Sequence, residues 1–522
     1  MKMKAGSRAA IFKNAFRIVF IISGLLFLYA RIFAQENTSG SVVARDGARM
    51  FIATAGEKVF SDTGFYFNSI PVFLNGSNFI AGSFYKGSKI EAAAAGKIYA
   101  ITPASGSPFS QEARLQQEGF SKRSESIDGL FKEFDGQLVL LEKTLTDADL
   151  AEPPAAYGSW VIFFFSGYHL PSIHEPAKVI WNPGKEYLPQ TRLWQGCPTI
   201  AKTGKRYWFG WFTGGTKEPD KGNYAVISYS GEPGKTLTDP ALIVTHPNEK
   251  VRVMDTQLWT DPSGKLWLMW TQNTGINGFD GLWGTWASVC DNPEAAVPEF
   301  SKPRRLCDGL TRNKPVVLST GEWLLPSYTW VDRRSTVYIS GDQGRTWTLQ
   351  GGPYNNNITF YEHMLTEKKD GTVWMMQRSI KESFSTDKGK TWTELKERAD
   401  FPSPSSRLYF GRLKSGALIL IYNRDEERKD RKNMTVALSQ DDGKTWPYSL
   451  LLDERSGISY PDLVQDDKGR ILLVYDRSRT GEKEILMARF SEKEVRKGKI
   501  FLKDSGSKIL LSRPEIVNTV SK

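Results

Sequence analysis

The sequence predicts an all-β protein, a six-bladed β-propeller over residues 185–495 with a small N-terminal β-rich domain in front of it. Two internal repeats carry that prediction, because self-similarity every few tens of residues marks propellers and solenoids. The first repeat reads S-x-D-x-G-x-T-W and occurs at 340–347, 385–392 and 439–446, with a worn copy at 230–237. Its Asp suits a tight turn by accepting bonds from backbone amides and its Gly by reaching positive φ, while Ser, Thr and Trp pin the turn to its hairpin. These residues are therefore expected to be structural. The second repeat is a short apolar strand, a turn with glycine and another apolar strand. It occurs six times, at 198–212, 255–270, 315–328, 362–378, 407–423 and 460–476, around Gly204, Gly264, Gly321, Gly371, Gly416 and Gly469. Spacings of 60, 57, 50, 45 and 53 residues between those glycines leave room for a four-stranded antiparallel blade each time.

In chain order, Lys2, Lys4, Arg8, Lys13 and Arg17 precede an apolar run at 18–30 and a cleavage-type residue at Ala34. This is the pattern of an export signal over residues 1–34, and it predicts a periplasmic or secreted protein. The run is shorter than the roughly 20 apolar residues that cross a bilayer, which argues against a stable membrane span in the mature chain. Residues 35–165 carry apolar segments between turn signals, such as Phe65-Tyr66-Phe67 and Lys97-Ile98-Tyr99-Ala100-Ile101, and read as a β-rich accessory domain. Residues 166–184, with their Pro and Gly, read as a linker, and 496–522 as a C-terminal tail.

The 522-residue chain has a formal charge of +11, but the leader holds six basic residues, Arg31 included, and no acidic ones, so the mature chain falls to +5. That balance gives no case for nucleic acid and leaves room for a locally positive pocket that takes an anionic substrate. Cys197, Cys290 and Cys307 are the only cysteines, without CxxC or zinc-ligand spacing, so neither a disulfide framework nor a zinc-built fold is expected. Cys290 and Cys307 either pair or lie buried as thiols.

The first strand of each propeller blade lines the central axis, so polar residues that open those strands converge on one mouth. The six openings present Arg192 or Gln195, then Asp255, Asn313 with Lys314, Glu362, Arg407, and Tyr460 followed by Asp462. Glu362 opens a hairpin that ends in Arg378. Arg431 precedes the strand of the last S-x-D-x-G-x-T-W copy, and Tyr460 opens a hairpin that closes on Val474-Tyr475-Asp476.

In those residues and their order the propeller portion resembles the sialidase (neuraminidase) superfamily of Asp-box, or BNR-repeat, proteins. The resemblance implies that Tyr460 is a nucleophile, that Glu362 takes its proton, and that Arg192, Arg378 and Arg431 hold a substrate carboxylate. It also implies an acid in the loop after the first hairpin, where Asp220 is the first choice by residue type and Glu218 the reserve. Where the family has Arg-Ile-Pro, this chain inserts Leu193-Trp194-Gln195-Gly196-Cys197 between Arg192 and Pro198. Arg407 is therefore a rival for the arginine triad, and Asp255 either binds substrate or caps the second blade.

The chemistry is coherent. Guanidinium groups fork onto a carboxylate with charge-assisted bonds that lysine does not match. A tyrosine avoids the repulsion that a carboxylate nucleophile would meet from an acidic sugar. With a reference pKa of about 10 it needs a neighbouring base, which Glu362 would supply. The leading expectation is an exo-acting glycoside hydrolase that releases a terminal acidic sugar from a glycan with retention, through a tyrosyl-enzyme intermediate. It needs no metal or organic cofactor. One alternative is hydrolysis or lyase chemistry on another, uronic-acid-containing glycan, with Tyr460 or His363 as base, although His363 falls on the opposite strand face from Glu362. The other is a non-catalytic glycan-binding protein. A sialic-acid substrate in particular requires Arg192, Arg378 and Arg431 to point at one spot beside Tyr460. The sequence implies no oligomeric state.

Overall fold

The computed structural model of the chain describes residues 42–165 with short breaks, and residues 175–514 apart from 221, 238, 250, 275–283, 329–332 and 357–359. The leader expected at 1–34 and the end of the tail lie outside the described residues. Two compact units result, Met1–His169 and Leu170–Lys522.

The first unit holds a six-stranded antiparallel sheet and a three-stranded one. In the larger sheet the period of two is plain. Ile162 and Phe164 pack with Phe67, Phe79 and Trp160, while Phe163 and Phe165 face a separate core with Ile98 and Leu141.

The second unit contains six antiparallel sheets among the described residues, one of five strands and five of four. One edge strand of each sheet, termed its first strand below, is in turn Gln195–Thr203, Val251–Thr260, Val316–Val317, Met364–Glu367, Tyr409–Arg412 and Ile458–Gln465. From each of these the chain continues through neighbouring antiparallel strands of the same sheet. Lys178–Trp181 and Gly506–Ser512 are strands of the first and last sheets, although the sequence reading assigned them to the linker and the tail. Apolar residues of adjacent sheets interlock, as where Ile200 and Phe209 of the first sheet meet Leu472 and Val474 of the last. All three cysteines are buried free thiols.

Polar side chains tie the first strands together. Thr199 Oγ1 and Ile200 N donate to Asp462 Oδ2 at 2.7 and 2.9 Å, and Leu258 N donates to Thr199 Oγ1 at 3.1 Å. Lys314 Nζ donates to the carbonyls of Ile200 and Leu463 and pairs with Asp462. A cavity of about 600 Å³ opens at the C-terminal ends of these strands, beside Lys202, Trp259, Glu367 and Arg412.

The S-x-D-x-G-x-T-W segments take the structural role expected of them. In each, the Ser hydroxyl accepts from the Gly amide at 2.8 Å (Gly344, Gly389, Gly443), and the Asp accepts from the Thr amide and hydroxyl (Thr346, Thr391, Thr445). Gly389 and Gly443 both sit at positive φ, 90° and 87°. They differ in surroundings. A Cβ on Gly443 would lie 2.2 Å from Trp374 Cζ3, whereas on Gly389 the nearest atom is 3.5 Å away. Gly389→Ala is expected to cost about 1 kcal/mol from backbone strain alone, and Gly443→Ala a further 1–3 kcal/mol or so from overpacking. Urea unfolding of the two variants checks this, and equal losses would contradict it.

Candidate active site

One backbone device recurs in or just before several of these first strands. The pairing register slips between Gly196 and Thr199, between Met254 and Gln257, and between Ser459 and Asp462. Within those bulges Cys197, Asp255 and Tyr460 take φ of 58°, 54° and 54°. Glu362, two residues before Met364–Glu367, takes φ of 41°. A bulge bends the strand and re-aims one side chain. Here the re-aimed residues include three that contact one another or a shared guanidinium.

Tyr460 is the centre. Its Oη donates to Glu362 Oε1 at 3.2 Å and accepts from Arg378 Nη2 at 2.8 Å, while Arg378 Nε donates to Glu362 Oε2 at 2.5 Å. Only 6% of Tyr460 and 4% of Glu362 is exposed. Burial opposes the charge on Glu362, but the bonded Arg378 outweighs it and holds the carboxyl below its ordinary range. Burial and the Glu362 charge push the Tyr460 phenol well above its ordinary value. At rest the proton stays on the phenol, hydrogen-bonded to an ionised carboxylate.

Four guanidiniums surround the Tyr460 ring, with carbons 4.8 Å (Arg312), 4.8 Å (Arg479), 5.7 Å (Arg431) and 5.9 Å (Arg378) from its centroid. Arg312 Nη1 pairs with Asp255 Oδ1 at 3.0 Å. Burial pushes the Asp255 carboxyl up to about 7 against the pull of that arginine. Arg479 Nη1 donates to Glu218 Oε2 at 2.6 Å, and Arg431 donates to the Ser405 carbonyl at 3.1 Å. Below the site Trp194, Cys197, Phe212, Met254, Leu310, Tyr328 and Tyr361 pack with Tyr460 into an apolar floor.

The sequence-predicted residues divide accordingly. Tyr460, Glu362, Arg378, Arg431, Glu218 and Asp255 are within this group. Arg192 is not. It precedes the strand Gln195–Thr203, gives Nε and Nη2 to the Tyr187 carbonyl at 3.1 and 2.8 Å, and lies over Trp211. The inserted residues leave Cys197 at the bulge instead. Asp220 accepts from the Thr216 and Gly222 amides, each at 3.0 Å, so its carboxylate braces its own loop. Arg407 sits behind the site, bonded to Asn313 Oδ1 and to the Pro461 carbonyl, while Asn313 Nδ2 donates to the carbonyls of Glu362 and His363. Together Arg407 and Asn313 brace the backbone beside Tyr460 and Glu362. Arg312 and Arg479 were missed from sequence. Arg312 stands one residue before the Asn313 that was read as a strand opening, whereas Arg479 lies in a loop with no repeat to mark it. Among the described residues no group of His, Cys, Asp and Glu is arranged to hold a metal, and no helix is long and apolar enough to cross a membrane.

A family model described as a BNR repeat-like domain matches residues 207–473. A sialidase of Bacteroides fragilis (strain YCH46) is 28% identical over 180 residues, 31% of this chain and 32% of the relative. A sialidase of Micromonospora viridifaciens is 27% identical over 170 residues, 29% of this chain and 26% of the relative. The matches thus span a third or less of those curated relatives. Among solved structures, a leech intramolecular trans-sialidase complexed with 2,7-anhydro-Neu5Ac has a TM-score of 0.50 at 12% identity, covering 88% of this chain and 93% of that one, a likeness of fold alone.

His363 lies 1% exposed behind Glu362, with Nε2 2.7 Å from the Thr336 carbonyl. Burial pushes its pKa from 6.5 down to about 4. A group depressed in this way contributes stability above pH 6.5 that is lost as the pH falls through 6.5 toward 4, ~3 kcal/mol in all. Asp255, raised from 3.8 to about 7, acts in the opposite sense, its share being lost as the pH rises through that window. The unfolding free energy of the wild type relative to His363→Phe should therefore grow from pH 4 to 6.5 and stay level above. A pH-independent difference would contradict a buried, neutral His363.

Proposed function

From a chain that belongs to the BNR repeat-like domain family of the sialidase superfamily, we propose an exo-acting glycoside hydrolase that releases a terminal acidic sugar from a glycan. The observation that carries the proposal is the Tyr460–Glu362–Arg378 triangle, in which one guanidinium bonds both the phenol and the carboxylate. Tyr460 Oη attacks the anomeric carbon as its proton passes to Glu362, and the glycosidic oxygen leaves with a proton from an acid on the other side. Water then attacks the anomeric carbon of the tyrosyl intermediate, giving a proton to the carboxylate that the acid has become, while Glu362 returns its proton to the departing Tyr460 oxygen, so the configuration is retained. A phenol held above its ordinary pKa is a poor resting nucleophile but leaves readily once its proton is returned, and Glu362 is placed for both transfers. Arg378 steadies the phenolate as it forms.

For the acid, Glu218 is preferred over Asp220, because its carboxylate reaches the site while that of Asp220 is taken by backbone amides. Asp255 would hold a sugar hydroxyl. The six sheets are read as six blades around the axis that carries Tyr460, with the first unit as an accessory domain, and the leader as an export signal that brings the enzyme to extracellular or periplasmic glycans.

A second reading, hydrolysis of a different acidic sugar such as a uronic acid, gains support from the displacement of Arg192 and the presence of Cys197 at its bulge. His363 does not serve it as a base, being bonded to a backbone carbonyl and buried.

Fluorogenic α-sialosides and β-glucuronides separate the readings by which one turns over. On the active substrate, Tyr460→Phe and Glu362→Gln should each lower kcat by about 10²–10⁴ with little change in KM. Binding without turnover of any acidic glycoside would instead support a glycan-binding protein, and full activity in Tyr460→Phe would remove the tyrosine from the mechanism.

A further inference from the structure

The group that replaces Arg192 arrives from the far end of the chain. After the strand Ile471–Arg477 the chain turns back, and the Arg479 side chain crosses the first inner strand at Gly196 and Cys197. A Cβ on Gly196 would lie 2.5 Å from Arg479 Cδ and 3.2 Å from Asp476 Oδ2, so only glycine leaves this lane open. Beyond it Nη1 stands 3.6 Å from Cys197 Sγ, and the guanidinium lies over the Tyr460 ring. Asp476 holds the lane from beneath, accepting from Cys197 N at 2.8 Å and Ser459 Oγ at 2.7 Å, with Arg479 Nε 3.8 Å away. Gly196, a small residue at 197, and Asp476 together form a cradle for one guanidinium.

That guanidinium is already bonded to a carboxylate. Glu218 Oε2 is 2.6 Å from Arg479 Nη1, and the two side chains are 27% and 21% exposed. The other two carboxylates on site arginines, Glu362 on Arg378 and Asp255 on Arg312, are 4% and 6% exposed. A partly solvated ion pair is weak and exchangeable, while a buried one is costly to break. An acidic ligand that enters from solvent therefore meets Glu218 as the replaceable partner.

We propose that Arg479 is the seat for the substrate's carboxylate, shared with Arg431, and that Glu218 occupies this seat until an acidic substrate displaces it. The proposal rests on the glycosidase reading and deepens it. Displacement frees Glu218 from its counter-charge beside the sugar only when a carboxylate has bound; it then takes a proton from solvent and passes it to the glycosidic oxygen, so acid catalysis and recognition of the anionic group are coupled through one ion pair. It also explains why the chain has glycine and not arginine at 196, two residues before Pro198. A second long side chain there would fill the lane that Arg479 uses.

The test is calorimetric binding of the free acidic monosaccharide released by the wild type and of its methyl ester, with turnover measured separately. The wild type should prefer the acid to the ester. Arg479→Met should reduce that preference about tenfold or more, as loss of one charge-assisted pair does, and Gly196→Ala should do the same with Arg479 still present. Glu218→Gln should bind the acid several-fold tighter than the wild type while its kcat falls, a combination that simple damage to the fold does not produce. If the wild type turns over acidic glycosides but Arg479→Met keeps its preference for the acid, the seat is wrong and the glycosidase reading stands. If Glu218→Gln binds the acid no tighter, the competition is overturned. If the wild type neither binds nor cleaves any acidic sugar, both readings fall.

Discussion

A single residue forced to positive φ, repeated near the openings of the first, second, fourth and last inner strands, is the constraint on which the site depends. Non-glycine residues in that region cost of order 1–3 kcal/mol each, and they persist where the surroundings over-determine them. The surroundings here are ladder hydrogen bonds on both sides of each bulge. Behind them run the Asn313 and Arg407 bonds to the backbone around Glu362 and Tyr460. At these backbone angles Tyr460 and Glu362, 98 residues apart in sequence, meet through a side-chain hydrogen bond.

The same crowding sets the electrostatics. Four guanidiniums around one phenol repel each other, and burial makes that repulsion stronger than it would be in water. Arg378, Arg312 and Arg479 each answer it with a carboxylate of their own. The pairs are not equivalent. Glu362 stays ionised because Arg378 both bonds and charges it, whereas the single contact of Asp255 with Arg312 leaves burial dominant and its carboxyl near 7. Two acids that share one cluster of guanidiniums are thus pushed in opposite directions from their ordinary pKa values.

Much of the frame was legible in the sequence because its causes are local. The Ser, Asp, Gly and Thr of the 340–347, 385–392 and 439–446 segments bond within seven residues of each other, so their spacing is the structure. The hairpins at 362–378 and 460–476 likewise mark Glu362, Arg378 and Tyr460 by position in a repeat. The expectation for Arg192 misled because five residues separate it from Pro198 where Arg-Ile-Pro has one, which left it to the Tyr187 carbonyl and Trp211 and handed the bulge to Cys197. Asp220 was favoured over Glu218 on residue type, and that preference had no knowledge of the amides waiting at Thr216 and Gly222.

What the sequence determined by itself is whatever repeats or folds back within one hairpin: the all-β class, the turns, and the residues that open and close each inner hairpin. What only the tertiary structure decided is which side chains share a space after the first and last sheets meet. Arg479 reaches Cys197 across 282 residues through a gap that exists because residue 196 has no Cβ. No spacing rule records such a gap. It is a property of two surfaces in contact, and a linear pattern describes only one of them at a time.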